Sequence, residues 1–530
     1  MKKILKSISI LLLTLSLVAC GTGQNTASAD TLYIGIMNTI NGFNPVYNTE
    51  AAANWVIRMM YPTLLDQPES TVFESNLAES FETTDNKTFT VKLRADAKWS
   101  DGTAITADDV AYTLNLAATP DVESSNGTYI STLLGVDASG KLVDGATSIE
   151  GVKVVSATEL TLTTKAAADP NYIKEMIGFN IFILPKHIVE KLDTKNIGSS
   201  TLATAPSVFG GAYKFVKYET GSYVQLEANE TYYKGEAKIK NVFVRITDGT
   251  GLVTGITSGD LHLLAGGGIG TVTVDDLAAL KANDSLTVES SSALSTQLMY
   301  INNSVFTSKE IRQAMTYAID RQKIIDQLLK GEGDKIATMF PQASAYYNKD
   351  VAALDYDPAK AKELIAASGF DMSKEITLLV PTGNTIRVAS ANLIEQDLKA
   401  VGFNVKQQTY DFTTMLSYVK KGEFQLALMG LSYNSDPDNT GYFSSDGASN
   451  YSKVYDKTVD ELWVKGKQTT SKEERLPIYN EIQKIYIEEA YIVGLYSAKQ
   501  YQIKSKKLTG GITAFWAGSL GKIHEWTLAE

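Results

Sequence analysis

Apolar and polar residues alternate over Phe89-Thr90-Val91-Lys92-Leu93-Arg94, the period of two that a strand with one buried face requires, and a strand is predicted there. Ser100-Asp101-Gly102 then reads as a turn. Beyond it the period lengthens. Ala107, Val110, Ala111 and Leu114 share one helical face, Thr106 stands just before them, and Asp109 follows the Thr by three positions, so a helix opened by a capping box is predicted. Tyr213–Tyr218 and Tyr223–Ala228 are strand-like runs joined by Glu219-Thr220-Gly221-Ser222, a hairpin signal. The middle of the chain is therefore rich in antiparallel strands.

The later part has a different rhythm. Asp357 caps a helix with Pro358 at its first position and Gly369 just past its end. A strand at Ile376–Val380, a helix ending before Gly402, a strand at Asn404–Thr409, a helix from Asp411 to Lys421 and a strand at Phe424–Met429 follow in turn. That alternation predicts an α/β unit with parallel strands. Ser471 with Glu474 opens another helix, running to about Glu489. Two styles of patterning in one chain imply at least two lobes.

The N-terminus fixes the expected compartment. Met1-Lys2-Lys3-Ile4-Leu5-Lys6 is basic, Ser7–Ala19 is apolar but well short of the ~20 residues a spanning helix needs, and Leu17-Val18-Ala19-Cys20-Gly21 follows. The pattern resembles the lipobox of bacterial lipoproteins, which implies a signal peptide over 1–19, cleavage before Cys20, and acyl chains on Cys20 that hold the protein to the outer face of the cell membrane. Residues 20–30, small and polar, read as a tether to the first strand-like run, Thr31–Ile36. Cys20 is the only cysteine, so stability is expected to come from core burial without disulfides.

Composition narrows the class. The 530 residues carry 49 Lys and Arg against 60 Asp and Glu, a net charge of −11 that argues against a nucleic-acid partner; loss of Lys2, Lys3 and Lys6 on cleavage makes it 46 − 60 = −14. With 44% hydrophobic residues the chain can build ordinary cores, and its length suggests several packing units.

Taken together, several segments resemble the extracytoplasmic solute-binding proteins of family 5, which include the oligopeptide-, dipeptide- and nickel-binding receptors of ABC importers. They are Leu77–Phe81 with Phe89–Arg94, Trp99-Ser100-Asp101-Gly102-Thr103, Thr106–Val110, Tyr300-Ile301-Asn302-Asn303, Ile311–Ala314, Ala318–Arg321 and Tyr356-Asp357-Pro358 with Ala361-Lys362. The resemblance implies an α/β fold, bilobal and periplasmic-binding-protein-like (type II, cluster C), with an inserted subdomain in the first lobe. It further implies lobe I from 31–62, 195–292 and 490–530, the insertion at 63–194, and lobe II at 293–489. The function implied is capture of a small solute, most readily an oligopeptide, by a monomeric receptor without cofactor that delivers it to ABC permease subunits.

Candidate ligand-binding residues follow from the same resemblance. Thr39, Ile40, Asn41 and Phe43 lie in a loop similar to the family's first cleft loop, from which an extended ligand receives backbone hydrogen bonds. Gln297 and Met299 belong to a strand whose alternate residues should face the cleft, although for Met299 core packing competes with that use. Gly430 ends a cleft strand where a small residue admits a ligand backbone, and Leu431, Ser432, Tyr433 and Asn434 should line the cleft beyond it. The family often has, a few residues before its Asp-Pro, an Asp that pairs with the ligand's terminal ammonium. Here Asp436 is the remaining candidate for a ligand cation, and selection is expected to lean on aromatic and backbone contacts. Trp516 is either a cleft aromatic or a core residue.

Catalytic and metal signals are weak. His187, His262 and His524 are far apart and lack metal-ligand spacing, so no metal is expected. There is no Gly-x-Ser-x-Gly elbow. Gly249–Gly255 lacks the Walker lysine and reads as a loop and helix start. Asp436-Pro437-Asp438-Asn439 reads as an Asx-capped turn rather than half a calcium loop. The rival readings are the same scaffold with an oligosaccharide, haem or metal chelate as ligand, and, less favoured, a surface hydrolase.

Overall fold

The computed structural model describes residues 30–47, 50–513 and 515–529. The signal peptide, Cys20 and all of the tether but Asp30 lie outside the described residues, as does the side chain of Trp516. No helix among the described residues is long and apolar enough to cross a membrane.

Local signals translate directly. The Thr106 backbone N–H donates to Asp109 Oδ2 (2.8 Å), the reciprocal half of the capping box, and opens the helix Ala107–Ala118. Tyr213–Glu219 and Tyr223–Ala228 pair antiparallel around Gly221, whose φ of 71° lies in the region that favours glycine. Asp357 accepts from the Ala359 and Lys360 N–H groups and starts the helix Pro358–Ser368, which Gly369 ends at φ 66°. Glu375–Pro381 lies parallel to both Asn404–Tyr410 and Leu426–Ser432. The glycine run at 249–255 is helical throughout rather than partly loop: Asp248 caps Gly249–Ser258, which buries Leu252 and Ile256.

One twelve-stranded sheet runs through the molecule, and its spine is the strand Ile492–Ser505. The first half of this strand pairs with Ser295–Ile301 and Gly333–Lys335, and the second half with Leu286–Ser292 and Leu263–Leu264. Leu263–Leu264 in turn lies beside Thr31–Ile36, followed by Asn241–Ile246 and the hairpin. A separate four-stranded antiparallel sheet is built from Ala78–Thr83, Thr88–Leu93, Glu159–Thr163 and Val152–Ser156.

The cores follow the sheets and give two lobes. A large cluster joins Leu32–Ile269 to Leu508–Leu528, and it includes the apolar residues of the four-stranded sheet. Two further clusters, between Leu298 and Tyr496, cover the opposite faces of the other end of the long sheet. The lobes are linked by two short crossings, Ser292–Ser295 and Tyr496–Lys499. There Lys499 Nζ is bonded to Asp334 Oδ1 (2.6 Å) and to Ser292 Oγ (3.1 Å), and Ser497 Oγ donates to the Ala293 carbonyl (3.2 Å). Two parallel crossings of this kind allow the lobes to rotate about one axis.

Candidate functional site

Between the lobes lies a cavity of about 770 Å³, within the range of ligand pockets. The first lobe contributes Pro45, Arg58, Gln67, Ser70, Tyr129, Glu175, Phe179 and Phe182 among others. Ser291, Ser292, Ser295 and Gln500 come from the crossings, and Ala343, Ser432, Tyr433 and Asn434 from the second lobe. The wall is thus mainly neutral hydrogen-bonding and aromatic side chains.

Of the residues singled out from sequence, Ser432, Tyr433 and Asn434 are brought together here. Tyr433 does not offer its hydroxyl to the cavity: Oη donates to the Met339 carbonyl, lies 3.2 Å from Thr296 Oγ1, and its ring packs 5.8 Å from Phe340. Ser432 and Asn434, on either side, are exposed.

The other candidates are elsewhere, each for a physical reason. Ser295–Ile301 is a central strand with a core on both faces, so Met299 is fully buried in one cluster and Leu298 and Tyr300 in the other. Gln297 Oε1 accepts from Arg387 Nε (2.9 Å). Gly430 is small for the same pair: a Cβ there would sit 2.7 Å from Gln297 Nε2 and 3.0 Å from Arg387 Nη2, so the close approach is by these side chains rather than by a ligand. Leu431 is buried in the second-lobe core. The loop at 39–43 is pinned to the first lobe. Phe43 is enclosed against Phe215 and Tyr218, the Ile40 carbonyl accepts from Tyr218 Oη (2.7 Å), and Asn41 bonds Glu50, while Thr39 is exposed. None of these residues lines the cavity, to which the neighbouring Pro45 contributes.

Asp436 requires a correction of a different kind. Its carboxylate is clamped by Arg475, Nη1 to Oδ2 at 2.7 Å and Nη2 to Oδ1 at 3.1 Å, and Oδ1 also accepts the Asp438 N–H in an Asx turn (2.8 Å). It is not free for a ligand ammonium. Arg475 in addition reaches across the lobes to Asp169 Oδ2 (2.6 Å). Burial pulls the Arg475 guanidinium down, but the hydrogen bonds and charge of Asp436 hold it above its ordinary value.

Further bonds join the lobes beside this clamp. The Ser435 N–H donates to Glu175 Oε1 (3.1 Å), Gln67 Nε2 and Ser70 Oγ donate to Ser435 Oγ (both 3.1 Å), and Asn86 Nδ2 donates to Thr470 Oγ1 (2.8 Å). Burial pushes the Glu175 carboxyl up to about 7, against the pull of the Ser435 N–H and with help from the Asp436 charge. Gln67 Oε1, buried, has no partner among the described residues.

Sequence reasoning missed the whole first-lobe wall. Arg58 had a signal, as the one charged residue in the apolar helix Ala51–Met60. Asp169, Glu175 and Arg475 had none, since the Asp169–Arg475 pair spans 306 positions.

A family model described as bacterial extracellular solute-binding proteins, family 5, middle, matches residues 72–453. The oligopeptide-binding protein AppA of Bacillus subtilis is 25% identical, over 94% of this chain and 92% of its own. The solved structure of the ABC transporter substrate binding protein CtaP from Listeria monocytogenes has a TM-score of 0.81 and 27% identity, covering 94% of this chain and 99% of that one. That of AppA from Bacillus subtilis in complex with a nonapeptide has a TM-score of 0.73 and 24% identity, covering 94% and 99%.

Proposed function

The chain belongs to the bacterial extracellular solute-binding proteins of family 5, and on that premise we propose that it captures short peptides between its lobes and delivers them to the permease of an ABC importer. The observation that carries this reading is the interlobe cavity of about 770 Å³, walled mainly by neutral polar and aromatic groups. Such a wall holds peptide N–H and C=O groups directly or through water and tolerates varied side chains. The cross-lobe bonds of Asp169, Glu175 and Gln67 supply the differential contacts that make a closed form distinct from an open one, and a permease can read that difference.

The same proposal takes the protein to be a monomer, lipid-anchored through Cys20 on the outer face of the membrane. It assigns 31–62, 195–292 and 490–530 to lobe I, 63–194 to an insertion and 293–489 to lobe II. The pairing of Thr31–Ile36 and Ile492–Ser505 with opposite edges of Leu263–Leu264 supports the first of these assignments. Ser432, Tyr433 and Asn434 are retained as candidate ligand contacts. Uptake tests the function: cells lacking the chain should lose import of a radiolabelled pentapeptide mixture and regain it when the chain is restored, and unchanged import would remove the reading.

A further inference from the structure

Few charges line the cavity, and among the described residues its single cation, Arg58, is in no ion pair. Among the described residues no other Lys, Arg or His lines it, and the carboxylates there are Glu69 and Glu175. The Arg58 guanidinium lies over the Phe179 ring, 4.0 Å from its centroid, and 5.0 Å from that of Phe182. Nη1 and Nη2 both reach the Phe179 carbonyl at 3.4 Å, longer than a well-formed N–H···O bond. The acid whose charge acts on it, Asp66, is itself bonded to Lys234 at 2.8 Å, and Glu175 is occupied by the Ser435 N–H. Arg58 is half-buried, and burial draws its guanidinium down to about 10, against the pull of Asp66 and Tyr129. A buried charge is stabilised by pairing, and the planar guanidinium fork matches a carboxylate with two parallel bonds. On the other side of the cavity Asp436 is already clamped by Arg475.

We infer that Arg58 is the seat of a ligand carboxylate, so that the ligand is oriented by its anion rather than by its amine. This deepens the proposed function and rests on it. The aromatic rings under the guanidinium hold its plane, leaving an edge for the incoming group. The shared chemistry is a carboxylate, which the C-terminus of a peptide or a haem propionate supplies alike.

The test uses the purified lipoprotein in detergent and synthetic pentapeptide mixtures made without Asp or Glu, once as free acids and once as C-terminal amides, with hemin and hemin dimethyl ester as a second pair. Affinity is read by calorimetry and folding by a thermal melt. The free acids should bind at least tenfold tighter than the amides, Arg58→Gln should erase that preference, and Arg58→Lys should keep part of it. Equal binding of acids and amides by the unaltered protein, or a preference that survives in a folded Arg58→Gln, overturns the assignment while leaving peptide capture standing. If neither mixture binds, peptide capture fails, and the second pair decides: hemin bound over its ester through Arg58 upholds the carboxylate seat, and any other result removes it. Should Arg58→Gln not fold, Arg58→Lys carries the test: a weakened preference for the acids in the folded Arg58→Lys supports the assignment, and an undiminished one overturns it.

Discussion

Asp169→Asn isolates the cross-lobe clamp. Asp169 and Arg475 lie on different lobes, and their side chains are only 5% and 3% exposed where they meet at 2.6 Å. Asp169 uses Oδ1 for the Asn171 N–H and Oδ2 for Arg475, whereas asparagine has a single oxygen; with that oxygen kept on the cap, an NH2 faces Arg475 and the cross-lobe bond is lost together with its charge. Arg475 remains held by Asp436, by the Gly466 carbonyl (3.1 Å) and by Tyr479 Oη (3.2 Å), so no buried charge is orphaned. The loss is then that of one charge-assisted hydrogen bond across the lobes, about 1.5–3 kcal/mol. It falls on the closed form, because in an open form Asp169 returns to water while Arg475 keeps its bonds to Asp436, Gly466 and Tyr479 within its own lobe. The closed-to-open ratio, and with it ligand affinity, should drop by about 10- to 150-fold. Calorimetric titration with a bound peptide measures the affinity, X-ray scattering with and without that peptide measures closure, and the melting temperature should change little because each lobe keeps its core. Unaltered affinity and unaltered closure in a folded Asp169→Asn would refute the clamp.

Glu175 should make closure pH-dependent. Its carboxyl is raised to about 7 in the closed form, so that form holds the proton more tightly than an open one; its advantage is complete below the ordinary value and is lost as pH rises through about 7. Affinity should therefore fall between pH 6 and pH 8, by less than tenfold per unit, and Glu175→Gln should flatten the titration. Tyr433→Ala should chiefly destabilise the second lobe, by about 3 kcal/mol or more for a buried aromatic, because its ring and hydroxyl are fixed in the core, and a thermal melt should show the loss. Cys20→Ser should release the protein from the membrane fraction, since one thioether supplies the acyl chains; retention after salt and carbonate washes would defeat the lipoprotein reading.

What the sequence revealed was local. Thr106 with Asp109, Asp357 with Pro358 and Gly369, and the alternation from 376 to 429 each set nearby backbone, so their elements appear where the pattern puts them. The site depends instead on which faces the tertiary structure leaves uncovered. Met299 looks like a cleft residue from strand alternation and Leu431 from its place just after Gly430, yet strands covered by cores on both faces have no cleft side. Gly430 reads from sequence as a place where a ligand backbone comes close, whereas the side chains beside it are Gln297 and Arg387, a pair of residues 90 positions apart. Asp436 has the charge a ligand amine wants, and only the distant Arg475 shows why that charge is already taken.

The central claim is peptide capture, and native mass spectrometry of the protein taken directly from its own cell envelope tests it most directly. The account predicts a family of masses above that of the mature protein, lost on denaturation, whose fragments give amino-acid ladders; a bound mass that yields sugar or haem fragments and no such ladder would contradict it.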